Sequence, residues 1–324
     1  MSRATLAVPL LAALVAPAVA QPRPPATKIA TLAAPAPALS FNLATTGTTA
    51  AVVSTDGKLR LWSLPNGRLL RTIDVPGRQY WIAVSAITDD GRSVAVADEN
   101  GGVTVWDVST GQSGFHFQLP HYPAIVQFSH DSKRLALAAA TATVEVFDVA
   151  ARRKLYELER PSLGAAAVAF SRDGSLLAAA DVDTVIRMYD ARTGRLMFRN
   201  TDLLLEPLAV DFTADGKQVV AAGADKVVVV IEAATGKTVR RMKKLSEPVM
   251  YVWVSADGKF LATALMKADN LELPAPVGVW EIASGQQLAD WLPATRVLGG
   301  GWTTDGRLLV AISAPGSVQI WRLR

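Results

Sequence analysis

Few residues in this chain are suited to catalysis, and their spacing excludes most of the chemistry they could do. His116, His121 and His130 lie close together in sequence, which first suggests a zinc site. A catalytic zinc needs three protein ligands converging around an open fourth position. The histidines have neither the tight helical spacing nor a CxxC-like pattern that would promote it. The chain contains no Cys, which removes thiolate nucleophiles, sulfur metal sites and disulfides together. It also lacks a Gly-x-Ser-x-Gly elbow, a Walker loop and a His-Glu-x-x-His motif. No catalytic residue, metal or cofactor is therefore expected. The most basic run is Arg240-Arg241-Met242-Lys243-Lys244. A nucleic-acid groove would interleave aromatics with such cations, so the run reads instead as a charged outer strand that resists edge-to-edge aggregation. The net charge is only +4, and nucleic acid is not expected as a partner.

The remaining reactive groups are carboxylates, and they are periodic. Asp90-Gly91, Asp131-Ser132, Asp173-Gly174, Asp215-Gly216, Asp257-Gly258 and Asp305-Gly306 each precede an apolar run. Successive aspartates lie 41, 42, 42, 42 and 48 residues apart. Trp62, Trp106, Phe147, Tyr189, Ile231, Trp280 and Trp321 keep the same beat. An Asp in such a turn bonds its own backbone, so these carboxylates are read as turn chemistry. Asp-Gly between apolar runs predicts a tight hairpin with φ above zero at both central positions.

Self-similarity at about 40–45 residues points to a β-propeller of four-stranded blades. In the clearest copy the expected strands are 168–171, 176–180, 185–189 and 195–199. Seven copies can be traced, the earliest over Phe41–Ile73 with Thr46-Gly47 in place of Asp-Gly. Runs such as Leu135-Ala136-Leu137-Ala138 are apolar on both faces, as strands sandwiched between neighbouring blades need to be. The seventh copy lacks its fourth strand. A strand near 28–32 is expected to supply it and close the ring without leaving an exposed edge.

Residues 1–20 read as a signal peptide. Arg3 supplies the positive start, Leu6–Val15 the apolar stretch, and Ala18-Val19-Ala20 the cleavage site after Ala20. The apolar run is shorter than the ~20 residues of a membrane span, so no span is expected after cleavage. Residues 21–37 form a Pro-rich lead that includes the closing strand, and 38–324 the propeller. An exported chain without Cys fits a bacterial periplasm or a secreted protein, and a monomer is expected.

The copies resemble WD40 repeats, in which an Asp sits in the turn before the third strand and that strand ends in Trp-Asp. The matching pairs are Trp106-Asp107, Phe147-Asp148, Tyr189-Asp190, Ile231-Glu232 and Trp280-Glu281, and the turn residues are Asp56, Asp183 and Asp225, with Asp98 a looser equivalent. The likeness covers roughly 38–324. WD40 repeats also carry a Gly-His pair whose His joins a buried network with the Asp and Trp. None of the three His here follows a Gly, which marks a divergent, exported bacterial-type member whose network is absent or replaced.

The resemblance implies that links between second and third strands share a face with links between blades. That face would gather Arg78, Tyr80, Trp81, His121, Tyr122, Arg160, Glu206, Glu247, Trp291 and Arg296. The insertion responsible for the 48-residue step adds Lys267, Asp269 and Asn270. Aromatic and Arg side chains on a rigid rim are what interface hot spots favour. The expected function is a non-catalytic scaffold binding protein or peptide partners of the cell envelope. The alternative is an exported propeller enzyme, of the lactone hydrolase or the quinone- or metal-dependent dehydrogenase type.

Overall fold

The computed structural model describes residues 26–75, 84–119, 123–139, 143–158, 164–267, 273–293, 295–314 and 317–323. Seven four-stranded antiparallel sheets form a closed ring with no helix among these residues. Within each blade the strands run a, b, c, d from the central channel outward. Blade 4 has strands Ala165–Phe170, Leu176–Asp181, Ile186–Asp190 and Leu196–Asn200, within a few residues of the sequence reading. The a strands are Ala38–Leu43, Ser85–Ile87, Pro123–Phe128, Ala165–Phe170, Pro207–Phe212, Val249–Val254 and Val297–Trp302. Each touches the next, and the seventh touches the first.

The expected closing strand is present. Ala26–Ala33 pairs antiparallel with Ser317–Leu323, from Ala26 opposite Leu323 to Ala33 opposite Ser317, with a bulge between Lys28 and Ala30. Leu32 is fully buried in the apolar layer that joins blade 7 to blade 1, beside Trp62, Val318 and Ile320. The core consists of seven such layers, one at each blade–blade interface. The b strands serve two layers at once. Leu135 and Leu137 pack toward blade 2, while Ala136 and Ala138 pack toward blade 4.

The a–b turns share one device. A buried hydroxyl at the end of strand a donates to the turn Asp two residues on, as Ser129 to Asp131 at 2.6 Å, Ser171 to Asp173 at 2.7 Å and Thr213 to Asp215 at 2.8 Å. The same hydroxyl accepts the first backbone N–H of strand b, Leu176 to Ser171 at 2.8 Å and Phe260 to Ser255 at 2.9 Å. The turn geometry differs from the expected two-residue hairpin. Only the Gly position lies at positive φ, for example Gly174 at 69° and Ser132 at 60°, while the preceding Asp does not. The turn is a longer type I form closed by one left-handed residue. Asp107 and Asp190 cap the c–d turns by accepting the N–H of Thr110 at 2.7 Å and of Thr193 at 2.9 Å.

Neighbouring blades are tied along the rim of this same face. Outer-strand side chains donate to carbonyls in the next blade's c–d turn: Arg71 to Ser109, Tyr156 to Ala191, Asn200 to Gly236 and Arg240 to Ser284. The basic run thus contributes directly to blade contacts. Arg241 reaches back to the Asp202 carbonyl at 2.7 Å.

The Gly-His network is replaced blade by blade. In blade 4, Arg187 on strand c bonds Asp181 at 2.5 Å and grips Asp183 through both guanidinium nitrogens. Arg60 holds Asp56 in the same way in blade 1. Thr104 meets His116 at 3.0 Å in blade 2, and the Trp280 indole donates to Thr263 at 3.0 Å in blade 6.

Candidate functional site

Because strands alternate in direction, a–b and c–d turns share one face of the ring, the turn face. The b–c and d–a links share the other, the link face. The channel opens on both, and its two mouths are chemically unlike.

The turn-face mouth encloses about 310 Å³. One repeat position rings it in blades 1 to 6, the residue before the turn Asp or, in blade 1, before Thr46. That position holds Thr45, Asp89, His130, Arg172, Ala214 and Ala256 in blades 1 to 6. Its charges therefore fall on three adjacent blades. His130 Nδ1 stands 2.9 Å from Asp89 Oδ2, bridging blades 3 and 2. The hydrogen bond to Asp89 raises the His130 pKa, with partial burial opposing it. One tier deeper, the Asp211 carboxylate accepts the N–H groups of Phe212 and Val254, both at 2.8 Å, tying blade 5 to blade 6. Burial pushes the Asp211 carboxyl up to about 6, against those two backbone donors. Trp253 and Trp302 complete the wall, the Trp302 indole donating to the Trp253 carbonyl at 2.8 Å.

The link-face mouth, about 380 Å³, is lined by Leu39, Ile125, Leu208, Met250, Tyr251 and Leu298 among others, and no charged side chain among the described residues lines it. Exposed leucines stand in the surrounding links. Leu204 is 77% exposed and Leu205 53% in the link from blade 4 to blade 5. Leu292 is 64% exposed between blades 6 and 7, and Leu273 46% in the insertion.

Of the side chains singled out from the sequence, Arg78, Tyr80, Trp81, His121, Tyr122, Arg160, Asp269 and Asn270 lie outside the described residues. Glu206, Glu247, Lys267, Trp291 and Arg296 all stand on or beside the link face. Lys267 pairs with Glu247 at 3.0 Å, and Lys226 stands 3.7 Å from the same carboxylate. Trp291 packs half-buried against the layer between blades 6 and 7. Arg296 lies near Tyr251, where its charge opposes the burial that raises the phenol. Tyr251 in turn stacks on Trp253 at 5.4 Å. His116 and His130 are far apart in role, one on the outermost strand of blade 2 and the other beside the channel. Asp89, Arg172 and Asp211 were not found from the sequence. The signal for the first two was the one variable position inside an otherwise constant turn phrase.

Seven four-stranded wedges with turn-capping Asp residues at the strand ends define a β-propeller of the WD40 type. Residues 37–244, more than half the chain, match the family model described as the NWD2 C-terminal beta-propeller, and the chain belongs to that family. The WD repeat-containing protein SL1-17 of Schistosoma mansoni is 30% identical to it over 112 residues. That stretch is 34% of this chain and 36% of the relative, so the chain matches about a third of the relative's length.

Proposed function

We propose that this chain is an exported, non-catalytic scaffold that holds a protein or peptide partner of the cell envelope across its link face. WD40-type propellers are typically protein-interaction scaffolds. The observation that carries the reading is that the three most exposed large apolar side chains among the described residues, Leu204, Leu205 and Leu292, all stand on one face, around an apolar channel mouth. Exposed apolar groups gathered on one side of a soluble domain mark an interaction surface. The ring supplies the rest: its links are held by packed sheets, so docking orders little chain. Export rests on the features of residues 1–20. Among the described residues no helix is long and apolar enough to cross a membrane.

Crosslinking and pull-down from envelope extract tests the surface. Leu204→Ser with Leu292→Ser should lose the captured partner, whereas Lys217→Ser on the turn face should keep it. Equal capture by both variants would move the binding surface elsewhere. For export, mass spectrometry of the periplasmic fraction should find a chain beginning at Gln21. A full-length chain confined to the cytoplasm would overturn that part of the reading.

A further inference from the structure

We infer that the turn-face mouth binds a small organic carboxylate, its anionic end seated between Arg172 and His130 and its apolar part against Trp253 and Trp302. The site is separate from the link face and does not depend on a protein partner docking there.

The argument starts from the variable turn position. Its charged residues are confined to blades 2, 3 and 4, while blades 5 and 6 place Ala214 and Ala256 there. The short side chains leave the cavity open on one side and the charged ones line the other. Arg172 is exposed to that opening, and among the described residues no hydrogen bond or ion pair engages its guanidinium. It offers the planar, forked donor set that fits a carboxylate. His130 is oriented by Asp89 through Nδ1, which leaves Nε2 as its second donor when the ring is protonated.

The negative groups that face His130 do not cancel this. Asp89 is already paired with the imidazole. Both Asp211 oxygens are taken by backbone N–H groups, and burial keeps its pKa high. A volume of about 310 Å³ sits at the small end of ligand pockets, which sets the occupant's size. Two indoles in the same wall favour a ligand with an apolar or aromatic body over a bare ion.

Isothermal titration of the mature protein tests this, with benzoate as the probe, benzamide as its neutral counterpart and inorganic phosphate as a bare anion. Benzoate should bind, and benzamide and phosphate should bind at least about tenfold more weakly. Arg172→Gln should weaken benzoate about tenfold or more, while Arg192→Gln, exposed on a c–d turn, should leave it unchanged. Binding should also be tighter at about pH 5.5 than at about pH 8, because protonation of His130 and of Asp211 both favour an anion. Absence of benzoate binding, equal binding of benzamide or phosphate, a flat pH profile, or no effect of Arg172→Gln in a normally folded variant would each overturn the assignment.

Discussion

The two faces of the ring are built on opposite principles. On the turn face the same hydroxyl–Asp unit recurs from blade 2 onward, closed by a left-handed Gly or, in blade 3, Ser132, with its carboxylates satisfied within four residues of chain. The pKa values of Asp173 and Asp215 are lowered accordingly. The Ser171 hydroxyl and the Ser175 N–H hold Asp173 down, and the Lys217 N–H and Thr213 hydroxyl hold Asp215 down. On the link face no single unit repeats. Its charge pairs differ from blade to blade, and leucines project into solvent. Local chemistry that closes on itself leaves one variable position free to carry function. Chemistry that changes from blade to blade leaves the whole link surface free to diverge.

The largest expected effect lies at the link side of blade 4. Asp181 is fully buried, and burial pushes its carboxyl up to about 6 even with the Arg187 guanidinium opposing. Arg187→Met strips a buried carboxylate of its cation and should cost about 3–5 kcal/mol, read from urea unfolding at neutral pH. The loss should shrink toward pH 5, where Asp181 can take a proton. A loss below about 1 kcal/mol would show the pair is solvated and erase this contrast between the faces.

A smaller effect is expected from the repeated unit. Ser171→Ala removes the donor to Asp173 and the acceptor for the Leu176 N–H at a fully buried site. The cost should be about 1–3 kcal/mol, with the Asp173 pKa moving up toward the ordinary carboxylate range in an NMR titration. If stability changes while that pKa does not, the hydroxyl serves the backbone alone.

Titration should separate the two kinds of carboxylate. Asp181 and Asp211 have folded pKa values of about 6, above their unfolded value of 3.8. Between those values the folded chain binds more protons, so stability should rise as pH falls from above 6 toward 4. The turn carboxylates, Asp107 at about 2 among them, are lowered, so their contribution is present above 3.8 and lost as pH falls below it. The raised His130 adds stability that is lost as pH rises through its folded value. A stability maximum in mildly acidic solution follows, measurable by thermal unfolding across pH. A monotonic rise toward neutral pH would contradict the burial of Asp181 and Asp211.

What could be read from the sequence divides along the same line. The blade count, the strand order and the closing strand near residue 30 were legible because each rests on a local repeat with period-2 apolar patterning. The turn type was misjudged. Asp173-Gly174 looks like a two-residue loop, yet the Ser171 hydroxyl closes the turn over a longer span with one left-handed residue. The channel mouth was not legible, since Asp89, His130 and Arg172 are about 40 residues apart and meet only through ring closure. The replacement of the Gly-His network by Arg187 and Arg60 was hidden for a different reason. Each Arg sits four residues after its Asp on an alternating strand, where it looks like an ordinary exposed position.

The smallest expected effect asks whether the turn unit adds stability by itself or only where the blade was built around it. Blade 1 lacks the unit: Ala44 occupies the hydroxyl position and Thr46 the Asp position, although Gly47 keeps the left-handed turn at φ 72°. The backbone is already closed there, with the Gly47 N–H bonded to the Ala44 carbonyl at 2.7 Å and the Ala44 N–H to the Thr49 carbonyl at 3.0 Å. Ala44→Ser with Thr46→Asp therefore adds a hydroxyl at 44 and exchanges the Thr46 hydroxyl, 3.1 Å from that of Thr48, for a carboxylate in a frame of the right shape. Ala44 is fully buried, so the new hydroxyl must find the same partners it has elsewhere, the introduced Asp and the Thr49 N–H. If it does, each bond contributes about 0.5–1.5 kcal/mol against the cost of burying the hydroxyl, and the net gain should be below about 1 kcal/mol. The single Ala44→Ser change, which supplies a donor without its acceptor, should be neutral or destabilising. If the double variant is less stable than the single one, the blade 1 turn differs from its repeats in more than sequence, and the uniformity of the turn face ends at blade 2.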